Sequence, residues 1–174
     1  LIIGAKSINT EIKMKSIFVI GSLLMKDALS SEAIESMFEL LIHNSKDANY
    51  NVRINAMWAI YTLVEKDKLP EERIQNSIDL FIAMSKGMEA NNTMLLSLFG
   101  LCAIIKNKKV SADIAGSVFS YLETRNHDFS NIYIPPRQEL FLVIEAKKRV
   151  AEAIVQIKIF ISSISPKKDQ RESS

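Results

Sequence analysis

The sequence predicts an all-α fold, a right-handed solenoid of about three helical pairs followed by a long C-terminal helix. Three observations predict it: a repeat of about forty residues, apolar residues at helical spacing within every copy, and few helix breakers, with 5 Gly and 4 Pro among 174 residues. One helical pair leaves apolar faces uncovered, so successive pairs must stack to bury them. We expect a single domain over residues 1–165.

The first two repeats, residues 9–48 and 49–89, align at a shift of forty residues without a gap. Identical pairs are spread over both predicted helices and the turn between them: Asn9 with Asn49, Ile20 with Ile60, Asp27 with Asp67, Ile34 with Ile74, and Ser45 with Ser85. Similarity that spans two helices and their connecting turn indicates a shared structure rather than chance.

The second repeat shows its two helices most clearly. The first helix has an apolar stripe that includes Trp58, which we predict to be a core residue because it aligns with phenylalanines in the other repeats. Pro70 suits the first turn of the second helix. At the same boundary in the other two repeats, Ser30 and Ser111 are predicted N-caps.

A third repeat, residues 90–125, follows at a shift of forty-one residues. Few residues are identical, but the apolar pattern survives at matched positions: Leu63 with Ile104, Val64 with Ile105, and Leu69 with Val110.

Residues 47–60 read Asp-Ala-Asn-Tyr-Asn-Val-Arg-Ile-Asn-Ala-Met-Trp-Ala-Ile. This segment resembles the HEAT-repeat pattern of an aspartate, a short turn and then Val-Arg-x-x-Ala-x-x-Ala-Leu. The resemblance, to HEAT and armadillo-like repeats, covers about residues 9–125. It implies that Asp47 and Arg53 link adjacent repeats. The other two copies lack the arginine, so the subtype, HEAT or armadillo, stays open.

The period ends after Thr124. Residues 126–136 are predicted to form an irregular loop, residues 137–164 a long helix, and residues 166–174 a disordered polar tail. The long helix has a heptad-like apolar seam: Val143, Val150, Ile157 and Ile164. Three roles stay open for it: a cap on the last repeat, a homodimer interface, or the first helix of a fourth repeat.

Composition excludes several classes of function. A net charge of +2 gives no general attraction for nucleic acid, and no apolar run reaches the roughly 18 residues of a membrane span. Cys102, the only cysteine, excludes an intrachain disulfide; we expect an inert core thiol and a cytoplasmic (intracellular) protein. We interpret residues 1–3 as the end of a helix in a longer protein.

Motifs for catalysis, metal binding or cofactor binding are missing from the sequence. It has no Gly-rich phosphate loop, zinc-ligand spacing or nucleophile motif, and His43 and His127 are far apart. We therefore expect no enzyme activity, no metal and no cofactor.

A surface is the remaining candidate for function. In HEAT-like solenoids the second helix of each pair usually lines the concave face, and its predicted exposed positions here are acidic or polar. The candidate partner-binding residues are Glu35, Glu39, His43, Gln75, Asn76, Asp79, Ser117 and Ser120. The first helices instead expose basic residues: Lys13, Lys15, Arg53 and Lys66.

This pattern favours a protein-interaction module or scaffold that binds a basic or polar peptide of a partner protein. A merely solvated face accounts for the same residues. Two other functions stay open: a nucleic-acid-binding HEAT-like protein, which needs a basic groove, and a noncatalytic domain of a larger enzyme.

Overall fold

The structure, a computed structural model, describes residues 1–86, 92–107, 110–128 and 140–164. These residues form eight α-helices and no strand, which confirms the all-α prediction. In chain order the helices are α1 (Ile2–Ala5), α2 (Thr10–Met25), α3 (Ser31–Asn44), α4 (Tyr50–Glu65), α5 (Ile74–Ser85), α6 (Asn92–Lys106), α7 (Ala112–Asp128) and α8 (Leu140–Ile164).

Side-chain caps fix where several of these helices begin. The Asn9 side chain at the start of α2 accepts hydrogen bonds from two backbone N–H groups, and Asn49 does the same at the start of α4. Ser30 caps α3 by accepting from a backbone N–H at 3.3 Å, and Ser111 caps α7 at 3.4 Å, as predicted.

The start of α5 differs from the prediction. Pro70 was expected in the first turn of this helix, but a 3₁₀ turn, Glu71–Arg73, follows it and α5 begins only at Ile74. Proline has no side-chain oxygen to cap the helix, and no side-chain cap replaces it here. The tight turn places Arg73 at the junction between the turn and α5.

The ends of α2 and α4 share one backbone feature. Asp27 and Asp67 both adopt the left-handed conformation, with φ of 56° and 55°. The residue after each aspartate donates its N–H to a carbonyl five residues earlier, at 2.9 Å and 2.8 Å, which is the Schellman arrangement. Asp27 and Asp67 are therefore identical in the two repeats because each ends its helix in the same way.

The helices lie in two rows. In the close-packed row, α2 packs on α4, α4 on α6, and α6 on α8. The open row consists of α3, α5 and α7, which pack on α4, α6 and α8 respectively, while no comparable packing in the described residues joins α3 to α5 or α5 to α7. The closely packed helix pairs are therefore α3 with α4 and α5 with α6. The repeats 9–48 and 49–89 instead pair α2 with α3 and α4 with α5.

Small residues explain why the close-packed row is tight. Ala56 and Ala59 on α4 have no exposed surface, and Gly21 on α2 is buried against the ring of Trp58. A continuous apolar core runs between the two rows from α1 to α8. Its largest fully buried side chains include Ile20, Phe81 and Leu122.

The C-terminal part corrects two expectations. Helix α7 continues to Asp128, into the segment predicted as a loop, and α8 begins at Leu140 rather than at 137. Residues 129–139 and the predicted tail, 166–174, lie outside the described residues.

Helix α8 packs on α6 and α7 in the way that α6 packs on α4 and α5. Val150 and Ile157, in the middle of the seam, are buried in this packing, at 0% and 1% exposed. The central part of the seam is thus used inside the chain and is not free for a homodimer. Among the three roles left open by the sequence, this packing fits both a cap on the last repeat and the first helix of a fourth repeat.

Candidate binding surfaces

The candidate partner-binding residues all lie on the open row. Helix α3 carries Glu35, Glu39 and His43. The others are on α5 and α7: Gln75, Asn76 and Asp79 on α5, and Ser117 and Ser120 on α7. Of the eight, all are solvent-exposed except Glu35, which is half-buried. The structure therefore places them on three helices of the open row, which do not pack closely on one another.

Arg73 joins α3 to α5, and sequence reasoning missed it. Its guanidinium forms ion pairs with Glu35 and with Glu39, and its Nε lies 3.0 Å from Glu35 Oε1. The guanidinium also lies over the ring of Phe38, 5.5 Å from the ring centroid. Glu35, then Glu39, raises the pKa of Arg73 above its ordinary value. Because Arg73 aligns with Ala33 in the first repeat, the repeat pattern contained no signal for it.

The remaining candidates are not joined into a cluster. Gln75 donates to Asp79 along α5 at 2.8 Å, and Asn76 is exposed beside them. Ser117 donates to a carbonyl of its own helix at 3.1 Å, and Ser120 lies one turn further along α7. The acidic part of the surface is therefore confined to α3 and α5.

The two rows differ in charge. The acidic face, formed by α3, the 3₁₀ turn and α5, has six carboxylates, one arginine, Arg73, and one histidine, His43. The carboxylates are Glu32, Glu35, Glu39, Glu71, Glu72 and Asp79. On α2 and α4, by contrast, three basic residues outnumber two acidic ones.

Asp47 and Arg53, implied as links between repeats, have different partners. The Asp47 carboxylate accepts from Lys13 Nζ at 2.7 Å, which joins the turn before α4 to α2. This ammonium, followed by the Asn49 N–H, lowers the pKa of Asp47. Arg53 instead donates to the carbonyls of Asp47 and Ala48, both at 2.8 Å, so it stabilises its own turn.

Arg149 of α8 joins three helices of the close-packed row. It pairs with Glu145 at 2.8 Å, donates to the Tyr61 hydroxyl at 3.3 Å, and lies 5.0 Å from the Phe99 ring centroid. Glu145 is the main reason why the pKa of Arg149 is raised, and burial raises the pKa of Tyr61. Tyr61 and Arg149 are 88 positions apart, so local sequence patterns could not reveal the contact.

A polar cleft of about 240 Å³ lies beside Arg149, between α6 and α8. Side chains of both charges surround it, including Lys106, Lys148 and Glu152, and Cys102 lies in its wall. Burial raises the pKa of the Cys102 thiol to about 12, which fits the inert thiol expected from the sequence.

Trp58 and Phe18 are less buried than Phe99, the aligned residue of the third repeat, which is 8% exposed and lies in the core as expected. Their rings stack with centroids 5.7 Å apart, yet Phe18 is 53% exposed and Trp58 is only half-buried. Trp58 packs on Gly21 of α2, whereas Phe18 faces solvent.

The described residues contain no group of three His, Cys, Asp or Glu side chains arranged to hold a metal ion. His43 is exposed in the last turn of α3, and the side chain of His127 lies outside the described residues. Within the described ranges, no helix combines the length and apolar content that a membrane span requires.

No protein-family model matches the chain, and the search of curated proteins also found no match.

Proposed function

We propose that this chain is a HEAT/armadillo-like α-solenoid that acts as a protein-interaction module. Three structural agreements between the aligned copies support the solenoid. Asn9 and Asn49 cap α2 and α4 alike, Asp27 and Asp67 end them alike, and the packing of α2 on α4 recurs along the close-packed row. Stacked pairs of this kind offer long lateral surfaces, which such proteins use for binding. The buried, single cysteine fits a cytoplasmic location.

The partner in this proposal is a basic segment of another protein, which binds the acidic face. The charge of this face carries the proposal, because six carboxylates lie on it against one arginine. Arg73 already pairs with Glu35 and Glu39, so the carboxylates without this partner are the ones most available to a basic segment. These are Glu32, Glu71, Glu72 and Asp79, and all four are solvent-exposed.

Recognition of this kind depends on several weak contacts rather than one strong contact. Individual ion pairs at an exposed surface contribute little, and dissolved salt screens them. A flexible basic segment that contacts several carboxylates at once binds more tightly, and electrostatic attraction also increases its association rate. The expected complex is therefore moderate in affinity and strongly salt-dependent.

A charge-reversal experiment tests this proposal. The probe is a fluorescein-labelled oligolysine peptide, and its affinity for residues 1–174 is measured by fluorescence anisotropy. The variant Glu72→Lys/Asp79→Lys changes the acidic face without touching the carboxylates that pair with Arg73. The matched control, Glu11→Lys/Glu152→Lys, changes the net charge equally but on α2 and α8.

We expect the acidic-face variant to lose about tenfold or more in affinity and the control to lose far less. Equal losses in both variants would indicate only a general charge effect and would sink the proposed site. Tighter binding of a DNA duplex than of the peptide, with a steep dependence on salt, would favour nucleic acid instead.

A further inference from the structure

An apolar cavity of about 400 Å³ lies between the end of α6, the start of α7 and the C-terminal half of α8. Its volume falls within the range of small-molecule sites in proteins. It is lined by Ile105, Val110, Ala115, Gln156, Ile157, Ile159, Phe160 and Ser163. None of these residues belongs to the acidic face, so the cavity is independent of the function proposed above.

The internal repeat explains how the cavity arises. A shift of forty-one residues places Ile105, Val110 and Ala115 on three residues of the preceding unit. Those three residues, Val64, Leu69 and Ile74, line the equivalent site between α4, α5 and α6.

The equivalent site is almost filled, with a remaining void of only about 10 Å³. Ile74 is buried there, and so is Ile34 at the matching position of α3, both at 5% exposed. Ala115 lacks three of the carbons that isoleucine supplies, and Val110 lacks one carbon of Leu69. The third unit therefore opens a space that the second unit closes with side chains.

Unfilled apolar space is uncommon because protein interiors are close-packed and each void costs stability. The cavity is also accessible, since Ile159 and Phe160 at its edge are 66% and 38% exposed. An apolar guest would cover the exposed apolar surface of Ile159 and Phe160. The cavity is therefore a candidate site for a molecule that enters from solvent.

The lining also defines the chemistry of the guest. No charged side chain is among the described residues of the wall, although 24% of the chain is charged. The two polar residues, Gln156 and Ser163, both lie on α8. Ser163 donates its hydroxyl hydrogen to the Phe160 carbonyl at 2.6 Å, whereas the Gln156 side chain is solvent-exposed and also lines the polar cleft beside Arg149.

We propose that this cavity binds a small uncharged apolar molecule with one hydrogen-bonding group that meets Gln156. An uncharged guest matches the uncharged wall, because a charged group would lose its hydration there without gaining a partner. The Gln156 amide supplies N–H donors and a carbonyl acceptor for orientation.

The first test uses a matched pair of fluorescent probes on residues 1–174. N-phenyl-1-naphthylamine is neutral, and 8-anilinonaphthalene-1-sulfonate has the same rings with one added negative charge. We expect the neutral probe to bind at least tenfold more tightly than the sulfonate. Equal binding of the two probes would overturn the assignment to uncharged ligands.

The second test fills the cavity. Ala115→Ile restores the isoleucine that the other two units have, and Ala112→Ile places the same side chain at an exposed position of the same helix. We expect Ala115→Ile to weaken binding of the neutral probe at least tenfold and Ala112→Ile to leave it unchanged. Unchanged affinity in a folded Ala115→Ile variant would refute the site.

A third measurement does not depend on how the variants fold. Nuclear Overhauser effects are recorded between the neutral probe and the methyl groups of the unaltered chain. Contacts to Ala115 and Ile157 locate the probe in the cavity. Contacts only to Val19, in the exposed apolar groove of α2 and α4, would overturn the proposal.

Discussion

The ring of Trp58 lies directly against Gly21, with no room for a β-carbon between α2 and α4. The indole thus packs on the Gly21 backbone, and the two helices approach more closely than a larger residue at position 21 would permit. Phe81 lies against Gly100 in the same manner, between α5 and α6. Two close contacts of the stack therefore rest on a glycine facing an aromatic ring.

Replacing Gly21 by alanine is expected to destabilise the protein by about 1–3 kcal/mol, because the added methyl group must displace Trp58. The control is Gly116→Ala on α7, where a β-carbon meets nothing within 4 Å. There alanine should stabilise the helix by roughly 0.5–1 kcal/mol. Urea unfolding followed by circular dichroism measures both, and a stabilised Gly21→Ala protein would contradict the packing.

The ion pair between Lys13 and Asp47 predicts a pH dependence of stability. The Lys13 ammonium lowers the pKa of Asp47 in the folded state, so this contribution is present above the unfolded pKa of about 3.9. It is lost as the pH falls through the lower, folded pKa. We expect the free energy of unfolding to fall less steeply with acid in Asp47→Asn than in the unaltered chain.

The matched control for this prediction is Lys15→Gln, since Lys15 also lowers the pKa of its partner, Glu11, but at a largely exposed site of the same helix where solvent screens the pair. Its acid dependence should stay close to that of the unaltered chain. An Asp47→Asn protein with an unchanged acid profile would show that the Lys13 contact does not persist in solution.

Arg73 is predicted to hold α3 and α5 together. Arg73→Gln leaves Glu35 and Glu39 side by side without their shared cation, so stability should fall. The loss should be larger at low salt, where repulsion between the two carboxylates is least screened. Denaturation midpoints at two salt concentrations measure the effect, and a loss that does not change with salt would argue against the ion pairs.

Cys102 should be unreactive in the folded protein. With a pKa of about 12, only about one thiol in ten thousand is ionised at pH 8, and the thiolate is the reactive form. Labelling by iodoacetamide should therefore require unfolding and should accelerate sharply across the urea transition. Fast labelling without denaturant, detected by mass spectrometry, would show that the polar cleft admits the reagent.

The repeat allowed much of the fold to be predicted because its signal lies in buried, regularly spaced residues. The shift of forty residues located α2 to α5, and the serine caps marked the starts of α3 and α7. The pairing of helices was not predictable in the same way. Both connecting segments, residues 26–30 and 45–49, are short, so the sequence alone did not show which neighbours pack closely.

The candidate surfaces were less predictable because they depend on residues that break the repeat. Arg73 and Arg149 have no counterpart in other copies, and each reaches carboxylates or aromatic rings on another helix. The exposure of Phe18, which aligns with Trp58, was mispredicted because alignment shows equivalence of position, not depth. The cavity depends on Ala115 together with α8, a helix outside the aligned repeats.

The contacts of Arg149 also bear on how the molecule opens. Helices at the end of a stack have neighbours on one side only, so their amide hydrogens are expected to exchange with solvent first. Arg149 extends past α6 to contact Tyr61 and Glu65 on α4. These contacts join α8 to α4, although α6 lies between them in the close-packed row. Local opening of α8 then requires the loss of contacts on α4 and α6 together, so these three helices should behave as one cooperative unit in hydrogen exchange.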